Sequence, residues 1–392
     1  MRTKSQQELI DIIRFEIRGV PLPDRFNVSD EASLIRISKK HDLTHLVFDA
    51  LHKNGIECIN NNAVQQYYAS IWRSEQMTHE LEAMTVLFEK EGVDFIPLKG
   101  AVMRPLYPEP WMRTSADIDV LFRSKDFERA CELVKNALGY TEEEEEKGSH
   151  HLSFHSPANN VHVEMHNMLF ADYQTTQSVT AHLPEIWDKV CPAEGHKHLM
   201  RMSDPDLYLY HVSHMAKHLS SDGGCPLRSL IDLWLLDGRP DRDEAGRREL
   251  LKKTGLLTFA EMMSATAKAW LDGGAVPSEE LEQFILTGSM YGTLKNRVAL
   301  GVEEKGVGRY IFDRIFLPYD NLKYSFPILQ EHKWLTPVFQ VMRWTRVFSR
   351  KYRNRLKTQT EALIQTDMSD AAQLETVRQL LGIKETEENT DV

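Results

Sequence analysis

Cysteine is scarce in this chain of 392 residues: Cys58, Cys131, Cys191 and Cys225 lie far apart, with no Cys-x-x-Cys pair. That scatter argues against a disulfide framework and a thiolate zinc site. Long apolar runs are also missing, since none approaches the roughly 18 residues that a membrane span needs. The polar opening from Met1 to Glu8 has no signal-peptide core, so a cytoplasmic protein without a transmembrane segment is expected. Positive charge is short as well. A net charge of -11 disfavours a nucleic-acid binder that uses its whole surface. One local exception lies between Glu331 and Glu361, where acidic residues are absent and Arg343, Arg346, Arg350, Lys351, Arg353, Arg355 and Lys357 accompany Trp344, Phe348 and Tyr352. An amphipathic surface helix with a basic face is the simplest reading, and an RNA backbone, a membrane surface or an acidic acceptor are alternatives. Internal repeats are absent.

What is present suffices for a globular protein of more than one domain, with 42% hydrophobic residues. Apolar residues recur at helical spacing from about residue 5 to 91, as in Leu9, Ile12, Ile13 and Ile17, and again in Leu81, Met84, Leu87 and Phe88. Pro21 and Pro23 break the first helix, and Asn54-Gly55 and Asn60 to Asn62 mark turns. The spacing predicts an α+β protein, with an N-terminal helical region over 1–91, a core over 92–198, a helical region over 199–383 and a charged, frayed tail over 384–392.

The core is organised around two short apolar runs. Val93 to Leu98 predicts a buried strand that turns at Lys99-Gly100 into a helix, where a glycine lets an anion approach the backbone. A second strand opens with Asp117 and Asp119 and continues through Val120, Leu121 and Phe122. Alternation puts both carboxylates on one face of that strand, and two anions so close require a cation, which predicts a divalent-metal site. Ser124 is expected to cap a helix over Phe127 to Leu138 that Gly139 closes. The acidic run Glu142 to Glu146 is expected to form a solvated loop. Two runs, His151 to His155 and Val161 to His166, flank Pro157 to Asn160 and predict a β-hairpin with His162, Glu164 and His166 on one face. Glu164 is thus a candidate third carboxylate. Beyond residue 200, His211, His214 and His218 share a helical face, and Pro226 to Leu236 opens the next helix.

The combination Leu98-Lys99-Gly100-Ala101, Leu106-Tyr107-Pro108, Arg113, Asp117 to Leu121 and Val163 to His166 resembles the uncharacterised nucleotidyltransferase family of the DNA polymerase β-like superfamily. The resemblance extends over roughly residues 80 to 240 and includes the His211, His214 and His218 helix and the Arg228 to Asp232 stretch. It implies a small mixed β-sheet with extensive flanking helices. It further implies that Asp117, Asp119 and Glu164 hold two Mg²⁺ ions, with Mn²⁺ as a substitute, and that Lys99, Gly100, Ala101 and Arg113 contact the nucleotide. The implied reaction is nucleotidyl transfer from a nucleoside triphosphate such as ATP to a hydroxyl, with pyrophosphate released. A small-molecule acceptor is favoured over protein or RNA. The sequence departs from the wider superfamily in having Ala101 where Gly or Ser usually follows the turn glycine, which removes a hydroxyl donor.

Other readings stay open at this stage. His166, His211, His214, His218, Arg228 and Asp232 are candidates for an acceptor pocket, and the three helical histidines also permit a metallohydrolase. Arg228 and Asp232, four residues apart, most simply form an ion pair on a helix surface. A nucleotide-binding regulatory module without turnover is a further alternative.

Overall fold

The computed structural model describes residues 2–143, 151–169, 186–222, 224–288, separate stretches between 306 and 345, and 375–382. Four helices come first: α1 (Lys4–Ile17), α2 (Glu31–Lys40), α3 (Thr44–Lys53) and the 31-residue α4 (Asn61–Glu91). The first ends at Ile17, ahead of Pro21 and Pro23, with Gly19 at φ 63°. Asn60 caps α4 by accepting from the Ala63 amide, and Gly92 closes it in the left-handed region at φ 69°.

The chain then builds a five-stranded mixed sheet in the spatial order β1-β2-β5-β4-β3. Its strands are β1 (Phe95–Pro97), β2 (Asp117–Phe122), β3 (Thr141–Glu142), β4 (His151–His155) and β5 (His162–His166). Between β1 and β2 runs the single turn α5 (Gly100–Met103), and α6 (Phe127–Leu138) follows β2. The crossover through α6 and the β4–β5 hairpin brings β5 back parallel to β2, with Asp117 opposite His162 and Asp119 opposite Glu164. This is the expected α+β architecture.

Burial sets that register. Ile118, Val120, Phe122, Val163 and Met165 are all fully buried against Met84, Phe88 and Val134 of α4 and α6. A slip of one residue would turn this apolar set toward the other face and bury the acids in its place. Glu80 of α4 pins the hairpin from behind, accepting from Ser156 Oγ and Asn159 Nδ2 at 2.8 Å each and from the Tyr140 hydroxyl.

The front of the sheet meets a second core. Ile96, Leu98 and Leu121 join residues of α1 to α3 and of the helices Asp204–Asp222, Leu227–Asp237 and Leu257–Leu271. Helices from both ends of the sequence therefore share one hydrophobic cluster over the site face.

Two local expectations change. The residue at the start of α6 is Asp126, while the Ser124 hydroxyl reaches toward the Asn167 carbonyl at 3.5 Å. The acidic run does not begin as a loop: Glu142 lies in β3 opposite Phe154, and the Glu143 amide donates to Ser153. An edge strand supplies backbone partners while leaving both side chains of β3 in solvent, so acidic residues are tolerated there. Residues 144–146 lie outside the described residues, as do 346–357, most of the basic segment 343–357, and the tail 384–392. The Thr336–Thr345 helix carries Arg343 and Trp344, both hydrogen-bonded to the Ile315 carbonyl.

Candidate active site

Two parallel central strands present the chemistry. Alternation puts Asp117 and Asp119 of β2 and His162, Glu164 and His166 of β5 on the face opposite the apolar set, and the register sets Asp119 beside Glu164. Asp119 is 1% exposed, and its Oδ1 accepts from Lys99 Nζ at 2.5 Å and lies 3.0 Å from His166 Nε2. Burial pushes the Asp119 carboxyl up, but Lys99 and His166 outweigh it and hold the group below the usual carboxylate range. Burial likewise opposes charge on His166, and its bonds to Asp119 and to Glu164, 3.4 Å away, raise its affinity for a proton. Glu164 is pushed up by burial and pulled below its usual value by the hydrogen bond from His166.

Asp117 is different. Burial first and the adjacent Asp119 second raise its carboxyl above the usual value, with Lys99 offsetting only in part. Among the described residues no ion pair reaches its carboxylate. The donor set fits a divalent ion: the ligating atoms of Asp119, Glu164 and His166 lie within 4.8 Å of one another, and so do those of Asp117, His162 and Glu164. Carboxylate oxygens in this number suit a hard cation.

The turn before α5 is strained and tightly packed. Lys99 has φ 45° and ψ -118°, a conformation that non-glycine residues seldom adopt. A Cβ on Gly100 would stand 2.0 Å from Ser115 Oγ, so any larger residue would force Ser115 to move. The Ala101 amide donates to the Leu98 carbonyl inside the turn, at 3.1 Å. Ser115 lies two residues before Asp117, and its buried hydroxyl has no hydrogen-bond partner. A hydroxyl thus stands over the Gly100 turn although position 101 is alanine.

A cavity of about 280 Å³ opens over this face, with Lys99, Gly100, Asp117 and Glu164 on one side and Tyr210, His214 and His218 of the Asp204–Asp222 helix on the other. His214 and His218 stack edge to face at 4.5 Å, and burial pushes His214 well below its usual value, so it faces the cavity as a neutral ring. His211 lines the same cavity while its Nε2 lies 3.1 Å from the Ser229 carbonyl. Among the described residues these three histidines do not converge as a metal-binding group. His166 stands behind the carboxylates, paired with Asp119, and is not part of the lining.

Arg228 and Asp232 do not pair with each other. Asp232, with no exposure, takes Arg113 Nε at 2.8 Å and the Tyr107 hydroxyl at 2.7 Å, and Arg228 Nη1 binds Asp42 at 3.1 Å. Their helix face is buried, and burial favours partners across elements over a solvated neighbour on the same helix. Arg113 is consequently held by Asp232 and by the Thr114 carbonyl, at the edge of the cavity.

Sequence reasoning passed over Tyr210 and Ser115. Tyr210 stands four residues before His214 on the histidine face, and Ser115 two residues before Asp117 in the alternating pattern, so helical and strand periodicity both carried the signal. No curated protein and no solved structure matches the chain. A family model matches residues 27–272, beyond the 80–240 of the recognised motifs, and so takes in Asp42, which holds Arg228. The chain belongs to the uncharacterised nucleotidyltransferase family, and with it to the transferase enzymes.

Proposed function

We propose that the enzyme transfers a nucleoside monophosphate from a nucleoside triphosphate to an acceptor hydroxyl, with Asp117, Asp119 and Glu164 as ligands for Mg²⁺. The observation that carries this reading is the register of β2 against β5, which aligns three carboxylates on one buried face beside a cavity. Divalent ions bound there would neutralise phosphate charge and stabilise the entering and leaving oxygens of an in-line displacement at the α-phosphate. The side chains do the rest. Lys99 and the Ser115 hydroxyl flank the Gly100 turn and bind phosphate oxygens, while Gly100 lets them come close. Glu164, kept ionised by His166 and one-fifth exposed to the cavity, receives the proton of the acceptor hydroxyl. His166 holds Asp119 and Glu164 in place.

Calorimetric titration with ATP, GTP, CTP and UTP in Mg²⁺ tests this. Wild type should bind at least one, and an Asp117→Asn/Asp119→Asn variant should lose it. A folded wild type that binds none of the four overturns the proposal.

A second reading is favoured by one contact. Lys99 already occupies Asp119 Oδ1, which suits a site that binds nucleotide without turnover. Pyrophosphate release in the presence of an acceptor extract would decide between the two.

A further inference from the structure

On the other side of the Arg113 to Ala116 loop lies a second cavity, of about 310 Å³, which shares Arg113, Ser115, Ala116 and Arg228 with the first. We propose that this cavity is an oxyanion subsite that receives the phosphate or carboxylate group of a small anionic acceptor. The proposal rests on the transferase reading above and names the substrate class of that site.

The argument starts from Arg104, a guanidinium that is 4% exposed and lines the cavity. It has five N–H donors, yet among the described residues its one hydrogen bond is from Nη1 to the Met77 sulfur at 3.1 Å, and thioether sulfur is a weak acceptor. Among the described residues no carboxylate forms an ion pair with it. Burial and the neighbouring Arg113 push its pKa down to about 10, the mark of a cation short of an anion. Arg73 of α4 stands on the same wall and, among the described residues, gives Nη2 only to the neutral Ala116 carbonyl, at 2.9 Å. Arg228 adds a buried Nε that has no partner.

Negative charge already in the cavity is committed. Asp42, also in the lining, accepts from Arg228 at 3.1 Å and from the Thr114 hydroxyl at 2.6 Å. Arg113 is matched by Asp232. Counting pairs, Arg104 and Arg73 remain, and the carboxylate that acts on both is Asp117. Among the described residues Asp117 forms no ion pair with either, so both guanidiniums keep donors for a ligand in the cavity whether or not a metal ion sits at Asp117. Planar guanidiniums bind phosphate and carboxylate oxygens with strong, directed hydrogen bonds. The volume suits a small molecule, and the shared loop places its hydroxyl end next to Asp117. The donor triphosphate offers the same oxyanion chemistry, so the test must separate the two sources.

Inorganic phosphate is titrated calorimetrically into the full chain without magnesium, at fixed ionic strength, for wild type, Arg104→Gln, Arg73→Gln and Asp117→Asn/Asp119→Asn. Wild type should bind phosphate saturably, each arginine variant should lose about tenfold or more in affinity, and the carboxylate variant should retain binding. Arg73 is only half-buried, so its variant keeps the test valid if Arg104→Gln does not fold. Mg²⁺-triphosphate binding should survive in the arginine variants. Its loss there, in parallel with phosphate, overturns the acceptor assignment and gives the cavity to the donor. Absence of phosphate binding in a folded wild type that does bind triphosphate overturns the subsite alone. Phosphate binding without any triphosphate binding removes the transferase reading, and the acceptor assignment with it, while the oxyanion cavity stands.

Discussion

Two buried charge networks lie side by side in this molecule, and they are built from the same kinds of residue to opposite ends. In one, Arg113 meets Asp232 and Arg228 meets Asp42, with the Tyr107 and Thr114 hydroxyls donating to the two carboxylates. Its anions and cations match, and it ties the loop before β2 to the Leu227–Asp237 helix. In the other, Lys99 and His166 pair with Asp119, His166 also reaches Glu164, and among the described residues Asp117 forms no ion pair. A closed network holds structure together. An open one keeps a capacity for a ligand, at some expense in stability.

Four experiments break or sharpen this contrast. Asp232→Ala opens the closed network by leaving Arg113 buried without its partner, and should cost about 3–5 kcal/mol in urea denaturation. Replacing both partners, Arg113→Met with Asp232→Leu, should recover most of that loss, because neither charge then remains unmatched. Asp119→Asn attacks the open network, and should weaken Mg²⁺-triphosphate binding by about 100-fold or more, as expected when a metal site loses a ligand. Circular dichroism should show its fold intact. Gly100→Ala asks whether Ser115 belongs to the open site: with 2.0 Å between the new Cβ and the hydroxyl, a loss of about 1–3 kcal/mol is expected from overpacking. Adding Ser115→Gly should restore stability without restoring triphosphate affinity.

The smallest effect is one of sign. Asp117 carries a raised carboxyl, so its contribution to stability is complete below the unfolded value near 3.8 and is lost as pH rises through the raised one. Asp232 carries a lowered carboxyl, so its contribution is present above 3.8 and is lost as pH falls. Asp117→Asn should therefore leave the metal-free melting temperature at neutral pH unchanged or higher, and flatten its decline with rising pH. A clear drop in melting temperature would mean that Asp117 is already satisfied and that the second network is closed too.

Much of the core was legible from periodicity. Asp117 and Asp119 stand two apart in an apolar run, which is enough to put them on one strand face, and the hairpin from His151 to His166 announced itself by its turn residues. The pairing of Arg113 with Asp232 was not legible. Those residues are 119 positions apart, and helix spacing pointed instead to the nearer Arg228. Ser124 was expected to cap α6 by residue type, but the N-cap position falls two residues later, at Asp126.

By itself the sequence determined the elements: which runs alternate, which repeat at helical spacing, where glycine is needed, and which acids share a strand. Those are local properties, decided by sterics and by side-chain direction over a few residues. Tertiary structure decided the partners. Glu164 came to lie beside Asp119 because the buried apolar set on the far side of β2 and β5 admits one register, and Ser115 came to lie over Gly100 because two loops close on each other there. Which charges are matched and which stay open is a sum over neighbours distant in the chain, and only the packed molecule evaluates it.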